Sequence, residues 1–297
     1  MLTASELKAV LREHGVRLSK RLGQHHLIDA RAIARVVEAC GVTRADTVVE
    51  IGAGLGALTE PLAERAGRVI AVEVDARIGA LLKARLAGRP QVAVVCQDIL
   101  TFHWNAVPHA VVVGAIPYQL TSPILASLCE ARATIARAIV ILQEEVAQRL
   151  LARPGTKAYG RLTVLAQYGW DISRVGAIGR AAFFPQPAVE SVCLRLTPRA
   201  RPAVEVPDER LFFAIVKAAF AQRRKTLVNG LRAWSQERIP RQRLAGLVTQ
   251  LGLAADVRGE ALSLPQFAAL TRLLVPVPGS SRSDVSGEVP GTGSVLQ

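Results

Sequence analysis

The sequence predicts an α/β protein with a mainly parallel sheet, followed by a small all-α C-terminal domain. Two observations carry this prediction. Between about residues 46 and 142, short apolar segments alternate with helix-like segments, which is the pattern of a parallel sheet with right-handed crossovers. Beyond residue 198, four segments with helical spacing follow one another, and no strand pattern interrupts them.

Each element is placed by its apolar periodicity. We predict strands over residues 46–51, 68–73, 92–96, 110–113 and 138–142, with helices at 4–14, 31–40, 76–87 and 122–130 and one ending at 64. Residues 162–168 and 191–196 are predicted as later strands or sheet-edge elements. The C-terminal helices are predicted at 211–220, 226–234, 241–251 and 264–274.

The length of 297 residues is enough for about two domains with a buried core. We place the first domain at residues 1–198 and the helical domain at 199–275, because Pro202 and Pro207 mark a linker-like change of composition. Residues 276–297 are rich in Gly, Ser, Pro and Val without periodicity, and we expect them to be disordered.

A glycine-rich turn follows the first sheet strand. Glu50 ends the apolar run, and Gly52, Gly54 and Gly56 then stand at alternate positions, where the lack of a Cβ lets the backbone approach a ligand. The next strand ends in Glu73, roughly 20 residues further on, where an acid can accept hydrogen bonds from ribose hydroxyls. The two features predict a nucleoside-containing cofactor at the carboxyl ends of parallel strands.

The glycine spacing indicates which cofactor. Dinucleotide sites favour G-x-G-x-x-G with a pyrophosphate on the helix N-terminus, whereas this loop is G-x-G-x-G preceded by a carboxylate. Glu50 would repel a pyrophosphate but would suit the sulfonium or amino-acid end of S-adenosylmethionine. A purely structural glycine turn and a nicotinamide-dependent oxidoreductase are the alternatives, although no Tyr-x-x-x-Lys proton donor is present.

The net charge of +13 favours a polyanionic partner. Only six of the 37 basic residues are lysine, and arginine binds phosphate through two parallel hydrogen bonds. A compositional bias of the genome is the alternative explanation. We predict that two basic clusters contact RNA phosphates, one containing Lys20 and Arg21 and the other Arg223, Arg224 and Lys225.

The rest of the composition argues against a metal site, a disulfide framework and a membrane span. The four cysteines are far apart and form no C-x-x-C pair, so we expect core thiols in a reducing compartment and neither a metal site nor a disulfide framework. There is no apolar run of 18 residues, and the first residues lack the pattern of a signal peptide. We expect a cytoplasmic monomer without a membrane partner.

A second candidate segment is the turn after the fourth sheet strand, Gly114 to Tyr118. Pro117 fixes the turn, so backbone carbonyls are free to face the cleft beside the predicted cofactor. Tyr118 can offer an aromatic face to a base extruded from its helix. A buried structural tyrosine is the alternative.

Several blocks, in the same order along the chain, resemble the ribosomal-RNA adenine dimethyltransferases. They lie at Lys20 to Leu27, Glu50 to Gly56, Gly114 to Tyr118, Tyr159 to Leu162, Phe183 to Ser191 and Phe220 to Leu227. The similarity covers roughly residues 15–274, and the C-terminal domain favours the small-subunit type over the macrolide-resistance type. Each block alone is modest evidence, and the ordered set is specific.

The resemblance implies a Rossmann-like class I methyltransferase that uses S-adenosylmethionine on small-subunit rRNA of the immature small ribosomal subunit. It implies cofactor contacts for one set of residues: His25, Leu27, Glu50, Gly52, Gly54, Glu73, Asp98 and Ala115. It implies that Ala115, Pro117 and Tyr118 form the catalytic turn and that Phe184 lies on the target-base side.

Two residues depart from the family pattern. The family's catalytic turn begins with asparagine where this chain has Ala115, and its capping segment has phenylalanine where this chain has His26. The asparagine oxygen would accept an N–H of the target adenine amine, and losing one such group costs about 10²–10³ in rate. The chain is therefore either a slow methyltransferase, with His25 or His26 supplying polarity, or a methylation-deficient rRNA-binding assembly factor.

Overall fold

The computed structural model describes residues 2–18, 23–222 and 224–275. The expectations for Lys20, Arg21, Arg223 and the tail at 276–297 lie outside these residues. The described chain divides into two compact units. The first contains the residues up to Ala147 together with Trp170–Pro198, and the second contains Gln148–Gly169 together with the residues from Arg199 onward.

The first unit contains a seven-stranded sheet and a two-stranded ladder. The strands in chain order are β1 (His26–Leu27), β2 (Thr47–Ile51), β3 (Arg68–Glu73), β4 (Val92–Cys96), β5 (Ala110–Ala115), β6 (Ile135–Gln143), β7 (Trp170–Ile178), β8 (Phe183–Phe184) and β9 (Ser191–Pro198). The large sheet has the order β4-β3-β2-β5-β6-β9-β7. Its first five strands are parallel, and β9 pairs antiparallel with β6 and β7. The predicted mainly parallel sheet is confirmed.

The helices of the first unit are α1 (Ala4–Glu13), α2 (Ala30–Cys40), α3 (Thr59–Ala63), α4 (Ala76–Arg85), α5 (Thr121–Glu130) and α6 (Glu144–Leu150), the last of which runs into the second unit. Side chains fix three of the starts. Thr3 forms a capping box with Glu6, Asp29 caps α2, and Asp75 caps α4. In α2, Ile33, Val36 and Val37 are buried on one helical face, as the spacing predicts.

The central strands are apolar because both of their faces are covered. Val48, Val49 and Val111 have no exposed surface. The strand register sets the position of the site, since Ile51 lies opposite both Val72 and Gly114. The glycine loop, the end of β3 and the end of β5 therefore meet at one edge of the sheet.

The second unit is helical. Its helices are α7 (Arg161–Gly169), α8 (Glu209–Phe220), α9 (Leu227–Trp234), α10 (Arg241–Gln250) and α11 (Leu264–Leu274). The four C-terminal helices are at the predicted positions. Their core contains Phe212 and Phe267, both fully buried.

The prediction of an extended element at residues 162–168 is wrong, because these residues form α7. Thr163, Val164 and Tyr168 are typical of strands, but Val164 and Tyr168 lie four residues apart on one helical face. Both pack into the C-terminal helical core, where the Tyr168 ring lies 5.0 Å from that of Phe212. This burial outweighs local propensity and also explains why residues 148–169, which we placed in the first domain, group with the C-terminal helices.

Three further differences are visible. Strand β7 was not predicted, because only Trp170 and Ile178 of its nine residues are buried, as expected at a sheet edge. Strand β6 begins three residues before the predicted start, and α6 was also missed. Across the described parts of the chain, none of the helices combines the length and apolarity that a membrane span requires.

Candidate active site

The glycine loop is held by the acid that ends the next strand. The three glycines have φ values of 67°, 57° and 91° at residues 52, 54 and 56, a region that favours glycine. Glu73 Oε2 accepts the Gly54 N–H at 2.9 Å, and its Oε1 accepts the Asp75 N–H at 3.0 Å. Burial raises the pKa of Glu73, and the backbone N–H groups act in the opposite direction. The carboxylate therefore fixes the loop while standing at the carboxyl edge of the sheet.

Glu50 has a different environment from the one its sequence position suggested. It is fully buried, and the Thr59 hydroxyl at the start of α3 donates to it at 2.6 Å. Burial raises the pKa of Glu50 to about 8. Its carboxyl group therefore keeps its proton to a higher pH than an exposed glutamate, which weakens the argument from a negative charge beside the loop. Direct contact of Glu50 with a cofactor stays a prediction.

Asp98 lies just beyond β4, next to the strand that ends in Glu73. Its Oδ1 accepts the Leu100 N–H at 2.9 Å and caps the short helical turn Ile99–Thr101. The residue is exposed. The preceding Gln97 N–H donates to the Glu73 carbonyl at 3.1 Å, so the two acids lie on adjacent strand ends. This is the relation expected for acids that hold the ribose and adenine of one nucleoside.

The candidate catalytic turn directly adjoins the glycine loop. A Cβ on Gly52 would lie 3.8 Å from the Ala115 carbonyl oxygen. A Cβ on Gly114 would lie 2.4 Å from the Ile51 carbonyl oxygen, so residue 114 has to be glycine. The Pro117 carbonyl accepts the Leu120 N–H at 2.9 Å and the Thr121 hydroxyl at 3.2 Å. The carbonyls of Ala115 and Ile116 are therefore the candidate acceptors for an adenine amine.

The N-terminal capping segment reaches this turn through a short ladder. Strand β1 pairs antiparallel with β8, with His26 opposite Phe184 and Leu27 opposite Phe183. His25 Nδ1 donates to the Pro185 carbonyl at 2.7 Å, and its ring stacks on Tyr118 with centroids 5.5 Å apart. His25, which we predicted as a cofactor residue, thus contacts the catalytic turn and the predicted target-base segment.

A small cavity lies between these segments. It is lined by Gly23, His25, Ala115, Ile116, Tyr118, Ile141, Phe183 and Ser191. The Tyr118 and Ser191 hydroxyls are 2.9 Å apart and form a hydrogen bond. Sequence reasoning missed Phe183 and Ser191 as individual site residues, although both lie within the Phe183-to-Ser191 block.

Phe184, which we predicted on the target-base side, does not line the cavity, whereas the adjacent Phe183 does. Contact of Phe184 with RNA stays a prediction. Successive side chains of a strand point to opposite faces. Phe184 packs with the apolar cluster beneath α1, and the Lys8 ammonium lies 4.8 Å from its ring centroid. The alternation of β8 is the signal that would have selected Phe183.

His26 and Leu27 face the protein interior. A Cβ on Gly54 would lie 2.7 Å from His26 Nδ1, so the imidazole packs on the glycine loop. Burial lowers the pKa of His26 to about 4, and its Nε2 has no hydrogen-bond partner among the described residues. Leu27 belongs to the main apolar core. Any contact of Leu27 with a cofactor would involve its backbone.

The predicted RNA-binding residues are only partly described. Arg224 and Lys225 are both exposed in the second unit, just before α9. Their contact with RNA stays a prediction, as does that of the residues outside the described ranges. Within residues 2–18, 23–222 and 224–275, no cluster of His, Cys, Asp or Glu could hold a metal ion.

The donor set fits S-adenosylmethionine. The Glu73 and Asp98 carboxylates provide acceptors on adjacent strands, and the positive-φ glycines leave the loop without side chains beside them. The Ala115 carbonyl borders this loop, and Ala115 also lines the cavity. A methyl donor held at the loop would thus lie next to this cavity.

The comparison with known sequences decides the family. The sequence profile described as "Ribosomal RNA adenine dimethylase" matches residues 15–270. The chain belongs to this family. The match spans most of the first unit and the C-terminal helices, in agreement with the resemblance found in the motifs.

Similar full-length proteins agree with this assignment. The chain is 40% identical to "Ribosomal RNA small subunit methyltransferase A" of Moorella thermoacetica, over 92% of this chain and 98% of that protein. It is 38% identical to the protein of the same name from Geobacillus thermodenitrificans, over 93% and 97% of the two chains.

Two solved structures share the fold. The 23S rRNA methyltransferase ErmE is 31% identical, with a TM-score of 0.64 over 84% of this chain and 98% of that one. A dimethyladenosine transferase from Plasmodium falciparum is 24% identical, with a TM-score of 0.70 over 82% and 95% of the two chains. The Rossmann-like methyltransferase fold with a helical C-terminal region is therefore confirmed.

Proposed function

We propose that this chain transfers methyl groups from S-adenosylmethionine to the N6 amine of adenines in small-subunit rRNA, giving N6,N6-dimethyladenosine on the immature small subunit. Membership of the dimethylase family and the names of the relatives at 38–40% identity support this substrate. We also propose a cytoplasmic location, which is consistent with methylation of small subunits during their assembly.

One observation carries the proposal. The loop fixed by Glu73 and the catalytic turn are adjacent, since a Cβ on Gly52 would be 3.8 Å from the Ala115 carbonyl oxygen. A nucleoside site and a cavity with an aromatic wall therefore share a border. This is what direct transfer between a bound nucleoside donor and an extruded base requires.

The chemistry assigned to the chain is positioning and charge stabilisation. When bound, S-adenosylmethionine supplies an electrophilic methyl group on its sulfonium. Tyr118 stacks on the target adenine, and a carbonyl of Ala115 or Ile116 accepts one N–H of its amine. N6 bonds to the methyl carbon as the carbon–sulfur bond breaks, with the electron pair staying on sulfur. The surplus proton on N6 then leaves to water, and no covalent enzyme intermediate is needed.

Calorimetry tests whether the protein binds S-adenosylmethionine at the proposed site. We expect binding to the wild-type protein, much weaker binding to Glu73→Gln, and no heat with NAD. Glu64→Gln is the matched control, because Glu64 is exposed and pairs only loosely, at 3.5 Å, with Arg89. If both variants bind S-adenosylmethionine with equal affinity, Glu73 is not part of the cofactor site. Heat with NAD and none with S-adenosylmethionine would favour an oxidoreductase.

Methyl transfer tests the reaction. In the presence of this protein, small subunits that lack adenine dimethylation should accept labelled methyl groups from S-adenosylmethionine, and digestion of the rRNA should yield dimethyladenosine. If the protein binds these subunits and S-adenosylmethionine but transfers nothing, it is an assembly factor. Ala115 is the observation that keeps this second function open.

The basic segment of the helical unit is proposed to contact rRNA phosphates. Arg224 and Lys225 are exposed side by side, and the chain carries a net charge of +13. Binding that depends on phosphate contacts weakens steeply with salt. The same proposal extends to Lys20, Arg21 and Arg223 on the basis of sequence alone.

A further inference from the structure

His25 makes a contact that decides which of its ring nitrogens carries hydrogen. Its Nδ1 lies 2.7 Å from the Pro185 carbonyl oxygen. A carbonyl oxygen only accepts hydrogen bonds, so Nδ1 is the donor. In the neutral imidazole, Nε2 is then an acceptor with no hydrogen of its own.

The same ring lies in the wall of the small cavity beside the turn. It stacks on Tyr118 with 5.5 Å between ring centroids and 27° between ring planes, and it lines the cavity together with Ala115. Ala115 contributes only a methyl group where the family pattern has an amide. The Tyr118 hydroxyl is already bonded to Ser191. His25 is therefore a cavity side chain that can supply an acceptor there without breaking the bond between the Tyr118 and Ser191 hydroxyls.

We propose that His25 is a catalytic residue: its Nε2 accepts one N–H of the target adenine amine, in place of the acceptor that is absent at residue 115. This rests on the proposed function. With 5.5 Å between centroids the imidazole is offset on the Tyr118 ring, and an adenine stacked on the open part of that same face would meet the imidazole edge to edge. Hydrogen bonds between such rings lie in their common plane. The second amine N–H is taken by a carbonyl of the turn.

The neighbouring His26 does not fulfil this role. Its ring packs against the position of a Cβ on Gly54, and burial lowers its pKa to about 4. His26 does not line the cavity that contains Ala115 and Tyr118. The two consecutive histidines therefore serve different sides of the site.

Three variants of the full chain separate an acceptor from a packing residue. His25→Phe keeps a ring on Tyr118 but removes the acceptor, and His25→Gln restores an acceptor on an amide. The control is His14→Phe, since exposed His14 makes a comparable Nδ1 contact with the Val10 carbonyl at 3.0 Å, away from the cavity. Each variant is made with Ala115 and with Ala115→Asn, and single-turnover methyl transfer to undermethylated small subunits is measured.

We expect His25→Phe to slow transfer about 100-fold with Ala115, while the Kd for S-adenosylmethionine is unchanged. His25→Gln should recover a large part of this rate, and His14→Phe should match the wild type. With Ala115→Asn, His25→Phe should cost less than about tenfold, because two acceptors at one N–H are redundant.

Two results would overturn the assignment of His25. One is an equal proportional loss in both backgrounds, and the other is an active Ala115→Asn protein alongside an inactive wild type. If His25→Phe does not fold, a His25→Gln rate near background decides against the proposal. Absence of both binding and transfer in all proteins would instead refute the proposed function.

Discussion

Glu73 at the end of β3 holds Gly54 in the loop after β2 through a hydrogen bond of 2.9 Å. The two residues are 19 positions apart in the chain and come from adjacent parallel strands. The loop geometry therefore depends on tertiary contact as well as on its glycines. The other side of Gly54 is closed by the His26 ring.

Gly54→Ala should be more destabilising than Gly41→Ala. Both glycines have nearly the same φ, 57° and 56°, so the backbone strain of about 1–2 kcal/mol is common to both. A Cβ on Gly41 has no neighbour within 4 Å, whereas one on Gly54 would lie 2.7 Å from His26 Nδ1. Urea unfolding measures the difference. Equal losses would show that the His26 ring moves aside freely.

Ala115→Asn should raise the rate of methyl transfer less than about tenfold in the wild-type background, because His25 already supplies an acceptor for the adenine amine, and about 10²-fold in the His25→Phe background, where the amide oxygen replaces it. Ala115→Leu is the control, since leucine has nearly the same shape as asparagine but no polar atom. The measurement is transfer to undermethylated small subunits, with the affinity for S-adenosylmethionine determined in parallel. A similar gain for leucine would assign the effect to packing.

Glu50→Gln should become more stable than the wild type as pH rises. The pKa of Glu50 rises from 4.5 to about 8 on burial, so between these pH values the unfolded chain has already lost a proton that the folded chain keeps. Wild-type stability then falls with pH in this window, and glutamine is free of this loss. The difference should grow to a few kcal/mol, on the order of 1.4 kcal/mol per pKa unit.

Thermal unfolding from pH 5 to pH 9 measures this difference. Glu64→Gln is the control, because it makes the same chemical change at an exposed position. Parallel curves for wild type and Glu50→Gln would mean that the Glu50 pKa is not raised in the folded protein.

Reversing the charge at Arg224 and Lys225 should weaken rRNA binding and reduce its salt dependence, by about one unit of the log–log slope for each phosphate that the variant no longer binds. Affinity for S-adenosylmethionine should not change. Arg210→Glu combined with Lys83→Glu makes the same total charge change elsewhere on the surface. If both double variants bind equally weakly, net charge and not a specific interaction is responsible.

The strands of the sheet could be predicted from the sequence because buried parallel strands are short, apolar and bounded by turns. Strands β3 and β4 have the predicted limits. The two errors in the later part have one cause. Helix α7 and strand β7 take their stability from partners distant in sequence, the C-terminal helical core and strand β9. Local composition does not contain that information.

The site was predicted at the level of segments and less well at the level of side chains. The strand ends and the motif order brought Glu73, Asp98 and the catalytic turn to one edge. The direction of each side chain was not available from the sequence: Glu50, predicted as a cofactor residue, faces Thr59, and of the two adjacent phenylalanines it is Phe183 that lines the cavity. The contacts of His25 depend on a ladder between residues about 160 positions apart.

The close approach of Gly114 to Ile51 restricts how this turn can evolve. No side chain fits at residue 114, where a Cβ would be 2.4 Å from a carbonyl oxygen, while Ala115 beside it is only partly buried. A laboratory selection for faster enzymes should therefore enrich substitutions at residue 115 and none at residue 114. Of these two neighbouring positions, adaptive freedom is confined to one codon.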